Sequence, residues 1–333
     1  MKKYLKWIII LLLIVLLFKQ LDINEYLLSL KKLSLNHWLA LIMMQLLSFA
    51  LLLVQWRRLA TALGKDIRIM DMVYVNMKGT FYDTITPGLK VGGEFARGSS
   101  LVNKFGFTPA EASALIIIQK SISVSALVLL SIFSLYLLST QFKLQDLVLV
   151  IASISFGVIL ALLITILLLP EKLYNHLASK RLEGVFKEKN LKFLEKYTEA
   201  SKLLTKAKKE IVFQFVLSLI VWTLFPFKLY FIIQALGLEL SFFKVFAATI
   251  ISYIAGMLPL LPGGLGSFEG TMVALFLIWG IERELSLVIA TIFRFITFWF
   301  LFFISLVYLA GKKAGSKLKG VPYESSQESQ FKF

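Results

Sequence analysis

Four charged residues in this chain stand where membrane proteins rarely place charge. Lys120 and Arg294 each lie inside a long apolar run, and Glu94 and Glu269 each follow a glycine-rich turn. An unpaired charge at bilayer depth costs about 2.5 to 17 kcal/mol, so each cation needs a partner or water. Two interpretations follow: the cations bind a lipid phosphate, or they form structural ion pairs with Glu94 and Glu269.

The two glycine-rich turns could bind an anion in a second way. Backbone N–H groups in such turns cradle phosphate, and the same turns allow a following carboxylate to cap the next helix. Arg97 follows the first turn, and its position fits a headgroup contact or, more readily, an interfacial anchor. The predicted binding set therefore also contains the turn glycines Gly92, Gly93, Gly263, Gly264 and Gly266.

Composition places these residues in a membrane protein. The 333 residues are 58% hydrophobic and only 17% charged, whereas soluble domains are nearer 45–50% apolar and about 25% charged. The net charge of +16 is typical of Lys and Arg on cytoplasmic loops rather than of nucleic-acid binding. The chain contains no cysteine, which excludes disulfides, thiolate metal sites and a cysteine nucleophile. We expect no metal and no cofactor.

Hydropathy predicts an all-α polytopic protein with about six full spans, because crossing a bilayer core takes about 20 apolar residues. Thr108 is the predicted N-cap of the third span and Pro109 its first helical residue. The predicted spans are Trp7–Phe18, His37–Gln55, Ala110–Leu138, Leu147–Leu169, Ile211–Leu236 and a helix from Gly280 to about Ala310.

Shorter apolar segments flank the two turns. Met72–Ile85 precedes the first turn, and Phe242–Leu261 and Gly270–Trp279 enclose the second. Each turn is either a loop outside the bilayer or the tip of a re-entrant hairpin, because irregular backbone at membrane depth needs protein or water around it.

Charge between the spans predicts orientation and domain limits. Residues 170–210 form a basic loop with an amphipathic helical segment, and Lys312 and Lys313 follow the last span. We therefore predict one transmembrane domain over residues 1–320, a disordered tail over 321–333, and both termini in the cytoplasm. The predicted location is the cell (cytoplasmic) membrane.

Landmark spacing predicts an internal repeat. Seven positions separate Pro87 from Glu94 and also Pro262 from Glu269, and fourteen separate Gly106 from Lys120 and Gly280 from Arg294. Counting the spans gives the two units opposite orientations, as in transporters with inverted repeats. Repeat A covers about residues 37–139 and repeat B about 211–310.

Several motifs together resemble the transmembrane region of lysylphosphatidylglycerol synthases and related flippase-like integral membrane proteins. They are TPGLKVGGEFARG, the Gln119-Lys120 helix, LPGGLGSFEG and ATIFRFITFW, and the resemblance covers about residues 5 to 310. The LPGGLGSFEG motif is the specific one, and TPGLKVGGEFARG is more degenerate. The family commonly has Arg where this chain has Lys120, and Lys lacks the bidentate fork.

The resemblance implies a helical bundle with re-entrant elements that flips a lipid between leaflets. The lipid would be a phospholipid, aminoacyl-phosphatidylglycerol included, or a polyprenyl-phosphate-linked lipid. About twenty residues follow the last span, so we expect the soluble aminoacyl-transfer domain of full-length synthases to be absent.

Two other functions stay open at this point: a membrane-embedded lipid-modifying transferase of the phosphatidylglycerol lysyltransferase type, and an accessory subunit without transport. The expected partners are membrane lipids with anionic headgroups, with a second copy of the chain or a separate synthase as further candidates. Nucleic acid is not an expected partner.

Overall fold

A computed structural model describes residues 27–28, 30–86, 91–142, 185–257 and 262–318, with a few positions between 150 and 161. The regular structure of these residues is helical and contains no β-strand, so the predicted all-α class is confirmed for them. The helices are α1 (Leu35–Ala62), α2 (Ile69–Ile85), α3 (Val91–Phe105), α4 (Pro109–Phe142), α5 (Val185–Lys206), α6 (Lys208–Ala235), α7 (Phe242–Gly256), α8 (Ser267–Ile278), α9 (Arg283–Arg294) and α10 (Phe300–Leu318).

Four helical stretches are long and apolar enough to cross a membrane. They are Leu35–Ala62, Pro109–Ser139, Lys208–Ala235 and Arg283–Gly315, the last running through α9, a π-helical turn (Phe295–Trp299) and α10. Each corresponds to one of the predicted spans. The other two predicted spans, Trp7–Phe18 and Leu147–Leu169, lie outside the described residues apart from a few positions of the second.

Local sequence explains where the helices begin. The Thr108 N–H donates to Glu111 at 2.7 Å and the Glu111 N–H donates to the Thr108 hydroxyl at 3.2 Å, a reciprocal cap at the start of α4. This confirms Thr108 as the predicted N-cap. Ser241 caps α7 by accepting from the Lys244 N–H.

Basic side chains collect at one end of the bundle. Arg58 at the end of α1 pairs with Glu210 at the start of α6, and Lys65 donates to the Gly106 carbonyl before α4 at 2.9 Å. Lys104 at the end of α3 donates to the Tyr74 hydroxyl. We call this end, which holds Arg57, Arg58, Lys65, Lys104 and Lys312, the basic end.

Two helical hairpins enter the bundle from opposite ends. The first hairpin (α2 and α3) begins and ends at the basic end, where Tyr74 and Lys104 meet. The second hairpin (α7 and α8) follows the far end of α6, and Lys244 near its start lies over the ring of Trp279 just beyond its end. The 3₁₀ turn Pro262–Gly264 at the tip of the second hairpin contacts α2.

The hairpin helices are each too short to cross a hydrocarbon core. At about 1.5 Å per residue, helices of 12 to 17 residues reach only about 18 to 26 Å, less than a hydrocarbon core of about 30 Å. The helix α5, in the predicted basic loop, instead packs against α4 and buries Ala200 and Leu204.

Backbone at the second tip approaches too closely for a side chain. Gly264 has a positive φ of 70°, and a Cβ there would overlap the Gly256 carbonyl at the end of α7. Gly263 also has a positive φ, and a Cβ there would meet the Phe298 ring. The glycines of this turn are therefore required by packing as well as by conformation.

We expect Gly264→Ala to lower the free energy of unfolding by about 2 kcal/mol or more, because the left-handed backbone and the contact with Gly256 both oppose a methyl group. Gly270 in α8 is the matched control, since a Cβ there meets nothing within 4 Å. Gly270→Ala should be neutral or stabilise by up to about 1 kcal/mol. SDS titration in mixed micelles measures both, and equal effects would contradict the close approach.

Candidate functional site

Arg294 binds the glycine-rich turn of the second hairpin. Arg294 is only 6% exposed, and its Nε donates to Glu269 Oε1 at 2.7 Å. Its Nη2 donates to the Gly263 carbonyl at 2.6 Å. One guanidinium thus connects the spanning helix α9 to both sides of the second hairpin's turn, which only a planar fork of donors can do.

Two aromatic rings cover the Arg294 guanidinium. Its carbon lies 4.7 Å from the Phe268 ring centroid and 4.4 Å from the Phe298 centroid. Each such contact is worth about 0.5 to 2 kcal/mol. Phe298 belongs to the π-helical turn that follows Arg294, and such turns often occur at functional positions.

Glu269 has two tasks at once. Its Oε2 accepts from the Gly266 N–H at 2.7 Å, which caps α8, while its Oε1 accepts from Arg294. The helix cap and the ion pair, weighed as alternatives from the sequence, are therefore combined in one carboxylate. Because the Gly266 N–H is bonded to Glu269, it does not present a donor to a phosphate in this arrangement.

The first hairpin forms a similar centre with Lys120 and has an additional ion pair. Lys120 Nζ lies 3.1 Å from Glu94 Oε1, and Arg97 Nη1 lies 3.4 Å from the same oxygen. Arg97 Nη2 also pairs with Asp83 Oδ2 at 2.9 Å. Glu94 thus pairs with two cations, whereas Glu269 pairs with one.

Burial distinguishes the two cations of this first centre. The Lys120 side chain is 38% exposed, while Arg97 is almost fully buried between α2 and α3. Arg97 was expected to anchor at an interface, and its position differs from that expectation. The carboxylate of Asp83 makes this burial possible, because it supplies a countercharge to the Arg97 guanidinium. At a membrane interface, water would solvate the guanidinium instead.

Glycines explain how Arg97 and Asp83 fit between the two helices. Gly79 in α2 lies against the Arg97 side chain, and Gly93 in α3 lies against the Asp83 carboxylate and the Gly79 carbonyl. Gly92 lies against Thr86. A side chain at any of these positions would separate α2 from α3. Gly92 and Gly93 also lie in the first turn of α3, where backbone N–H groups lack intrahelical partners.

The two centres share one arrangement. In each, a carboxylate in the first turn of the hairpin's second helix pairs with a cation on the following long helix, 26 positions away in the first centre and 25 in the second. The cations lie equally far along their helices, Lys120 about 17 Å from the start of α4 and Arg294 about 17 Å from the start of α9.

Sequence reasoning missed a third buried cation, Lys228 in α6. It is 0% exposed, and its Nζ donates to Gln45 Oε1 at 2.6 Å and to the Ser48 hydroxyl at 3.0 Å. The Phe225 ring lies 4.3 Å below the ammonium. Within the described ranges, its hydrogen-bond partners are neutral. The sequence does show a single Lys inside the apolar run of α6, which could have singled out this residue. It does not show that the partners of Lys228 lie on α1.

A polar seam between α1 and α6 continues from Lys228 toward the basic end. Gln55 donates to the Gln214 carbonyl and to Ser218 Oγ, and Gln214 donates back to the Gln55 carbonyl. Reciprocal amide pairs of this kind hold antiparallel membrane helices in register.

Among the described residues, no three His, Cys, Asp or Glu side chains group as metal ligands.

Comparison with known proteins gives consistent matches over most of the chain. Residues 4–305 match the family model described as the lysylphosphatidylglycerol synthase TM region. A UPF0104 membrane protein of Pyrococcus horikoshii is 26% identical over 319 residues, which cover 90% of this chain and 94% of the relative. A UPF0104 membrane protein of Methanothermobacter thermautotrophicus is 22% identical over 284 residues, 81% of this chain and 84% of the relative. A further match in that organism is 39% identical over 85 residues.

The contrast between Arg294 and Lys228 gives a stability prediction. Arg294→Met leaves Glu269 without its countercharge and should cost about 3–5 kcal/mol of unfolding free energy. Lys228→Met removes a buried charge whose described partners are neutral, and it should cost less than about 1 kcal/mol or stabilise. SDS titration of both purified variants provides the measurement. A loss of 3 kcal/mol or more in Lys228→Met would show that this lysine has a countercharge.

Proposed function

The chain belongs to the lysylphosphatidylglycerol synthase transmembrane-region family, and we propose that it moves a lipid between the two leaflets as a flippase or scramblase. The lipid is a phospholipid, with aminoacyl-phosphatidylglycerol as one candidate, or a polyprenyl-phosphate-linked lipid. The chain is an integral membrane protein, which is the setting that this activity requires.

One observation carries the proposal. Two hairpins enter from opposite ends of the bundle, the Pro262–Gly264 turn of the second contacts α2 of the first, and each hairpin pairs a carboxylate with a cation on a long helix. A lipid headgroup that crosses a bilayer needs polar contacts from both sides and near the midplane. Broken helices that meet at that depth supply such contacts in many transporters.

The same geometry supports the predicted inverted repeat. Repeat A, about residues 37–139, contains the hairpin that starts at the basic end, and repeat B, about 211–310, contains the hairpin that starts at the opposite end. Two copies in opposite orientation would give the two leaflets equivalent access to a shared path. We further propose that the basic end, toward which the last helix α10 ends, faces the cytoplasm, as its positive charge favours.

At the second centre, we propose that the lipid phosphate binds the Arg294 guanidinium. Nε and Nη2 are engaged by Glu269 and Gly263, and the described residues provide no hydrogen-bond acceptor for Nη1. A phosphate oxygen bound at Nη1 would leave the ion pair with Glu269 intact. Arginine and phosphate form short charge-assisted bonds of this kind readily.

At the first centre, Lys120 is the accessible cation, since its side chain is 38% exposed while Arg97 is committed to Asp83 and Glu94. Lys120 presents a point charge, so it would attract a phosphate without fixing its orientation. The first-turn N–H groups of α3, including those of Gly92 and Gly93, have no acceptor within their own helix and would add to this attraction.

Lipid exchange in liposomes tests the proposal. The purified protein is reconstituted with fluorescent phosphatidylglycerol, phosphatidylcholine or a polyprenyl phosphate, and exchange is followed by quenching of the outer leaflet. We expect exchange well above that of protein-free vesicles for at least one phosphate lipid. Lys120→Ala and Arg294→Ala should each slow it by about tenfold or more, the effect of losing one charge-assisted hydrogen bond to phosphate.

Lys120→Ala is the decisive variant, because its partly exposed side chain can be removed with little effect on folding, whereas Arg294→Ala also destabilises. Arg68→Gln is the matched control, since Arg68 precedes α2, is mostly exposed and is remote from both centres. Exchange equal to that of empty vesicles for every lipid would overturn transport. In that case a lipid-modifying transferase is tested by new lipid products in mass spectra, and an accessory role by co-purification of a synthase.

A further inference from the structure

A cavity at the basic end lies apart from both ion-pair centres. Its volume is about 500 Å³, within the range typical of small-ligand sites. One wall is the last part of α1, from Val54 to Ala62, and the opposite wall is the start of α6 at Ala207 and Glu210. Ile69, the first residue of α2, closes a third side. We call this cavity the Arg57 pocket.

Positive charge dominates the Arg57 pocket. Arg57 and Arg58 both line it, against the single carboxylate of Glu210. Glu210 is already bound by Arg58 through two oxygens, at distances between 2.6 and 3.1 Å. The pair neutralises itself, so Arg57 supplies the uncompensated charge of the cavity.

Arg57 is poorly satisfied by protein groups. Its side chain is 48% exposed, and its Nε donates to the Ile67 carbonyl at 3.1 Å. Its contact with Asp66 is 3.9 Å long, and Asp66 is almost fully exposed, so solvent screens this pair strongly. Most of the guanidinium is therefore available to a ligand in the cavity.

The start of α6 adds a second attraction for anions. Ala207 is the N-cap of this 28-residue helix and offers no side-chain oxygen to the first-turn N–H groups. The positive end of the helix dipole thus opens onto the same cavity as the two arginines. Arg57, beside a helix start that lacks a side-chain cap, forms a site for a phosphate group.

The apolar part of the cavity indicates that the anion belongs to a lipid. Val54 and Ile69 line the pocket and are both more than a third exposed. Beside them, the Phe213 ring lies under the guanidinium of the lining residue Arg58 at 4.3 Å and is itself exposed. A soluble phosphate would gain nothing from this surface, whereas the first carbons of an acyl chain would bury it.

We propose that the Arg57 pocket binds the phosphate-bearing headgroup of an anionic glycerophospholipid from the leaflet at the basic end of the bundle. The phosphate contacts Arg57 and the start of α6, and the glycerol and upper acyl chains lie along Val54, Ile69 and Phe213. This proposal does not rest on the proposed transport activity, because the pocket is separate from the Glu94–Lys120 and Glu269–Arg294 pairs.

Native mass spectrometry of the full-length, delipidated protein in mild detergent tests the site. Phosphatidylglycerol and phosphatidylcholine are added in parallel, and the dissociation constant of each bound lipid is measured. We expect Arg57→Gln to weaken the phosphatidylglycerol bound at this site by about tenfold, the effect of losing one charged hydrogen bond. Arg68→Gln is the charge-matched control and should bind as the unaltered protein does, since Arg68 does not line the cavity.

A second variant tests the cavity rather than the charge. Thr61 lines the pocket and is exposed, so Thr61→Trp should fill the space without disturbing the core and should also weaken phosphatidylglycerol binding by about tenfold or more. Glycerol 3-phosphate serves as the soluble competitor. Unchanged phosphatidylglycerol binding in both variants would overturn the site. Displacement by millimolar glycerol 3-phosphate, with phosphatidylcholine and phosphatidylglycerol bound equally, would assign the pocket to a soluble phosphate instead.

Discussion

Local neutralisation of charge inside an apolar bundle is the constraint on which the rest of this structure depends. A cation at bilayer depth is tolerated only where a countercharge and hydrogen-bond acceptors surround it. Arg294 meets this requirement with a carboxylate, a backbone carbonyl and two rings, all contributed by the second hairpin and by its own helix. The need to neutralise this one side chain therefore fixes where the hairpin tip must lie against α9.

Glycine makes such a tip possible. Two positive-φ glycines let the 3₁₀ turn approach both the end of α7 and the Phe298 ring, so the Gly263 carbonyl reaches Arg294. In the first hairpin, Gly79 and Gly93 perform the equivalent function by leaving room for a buried ion pair between α2 and α3. Close backbone approach and buried charge thus occur at the same places, because small residues make the space that charged side chains occupy.

The buried cations differ in how firmly they are held, and this difference separates structural from functional candidates. Arg97 is enclosed with two carboxylates, and Lys228 is enclosed with two neutral oxygens on α1. Lys120 is paired but partly exposed, and Arg294 is paired but keeps one nitrogen of its guanidinium free of acceptors in the described structure. The proposed headgroup contacts are assigned to the last two, because Lys120 is partly exposed and Arg294 keeps a donor that lacks an acceptor among the described residues.

The sequence by itself determined the elements that depend on local pattern. Apolar runs located the four described spans, the Thr108 cap located the start of α4, and charges within apolar runs singled out Lys120 and Arg294. Only the tertiary structure decided the partners. Arg97 finds Asp83 across the first hairpin, and Lys228 finds Gln45 at a separation of 183 residues. Capping acts within one helical turn and hydropathy within one helix, whereas these pairs exist because whole helices pack in one register, which no local pattern specifies.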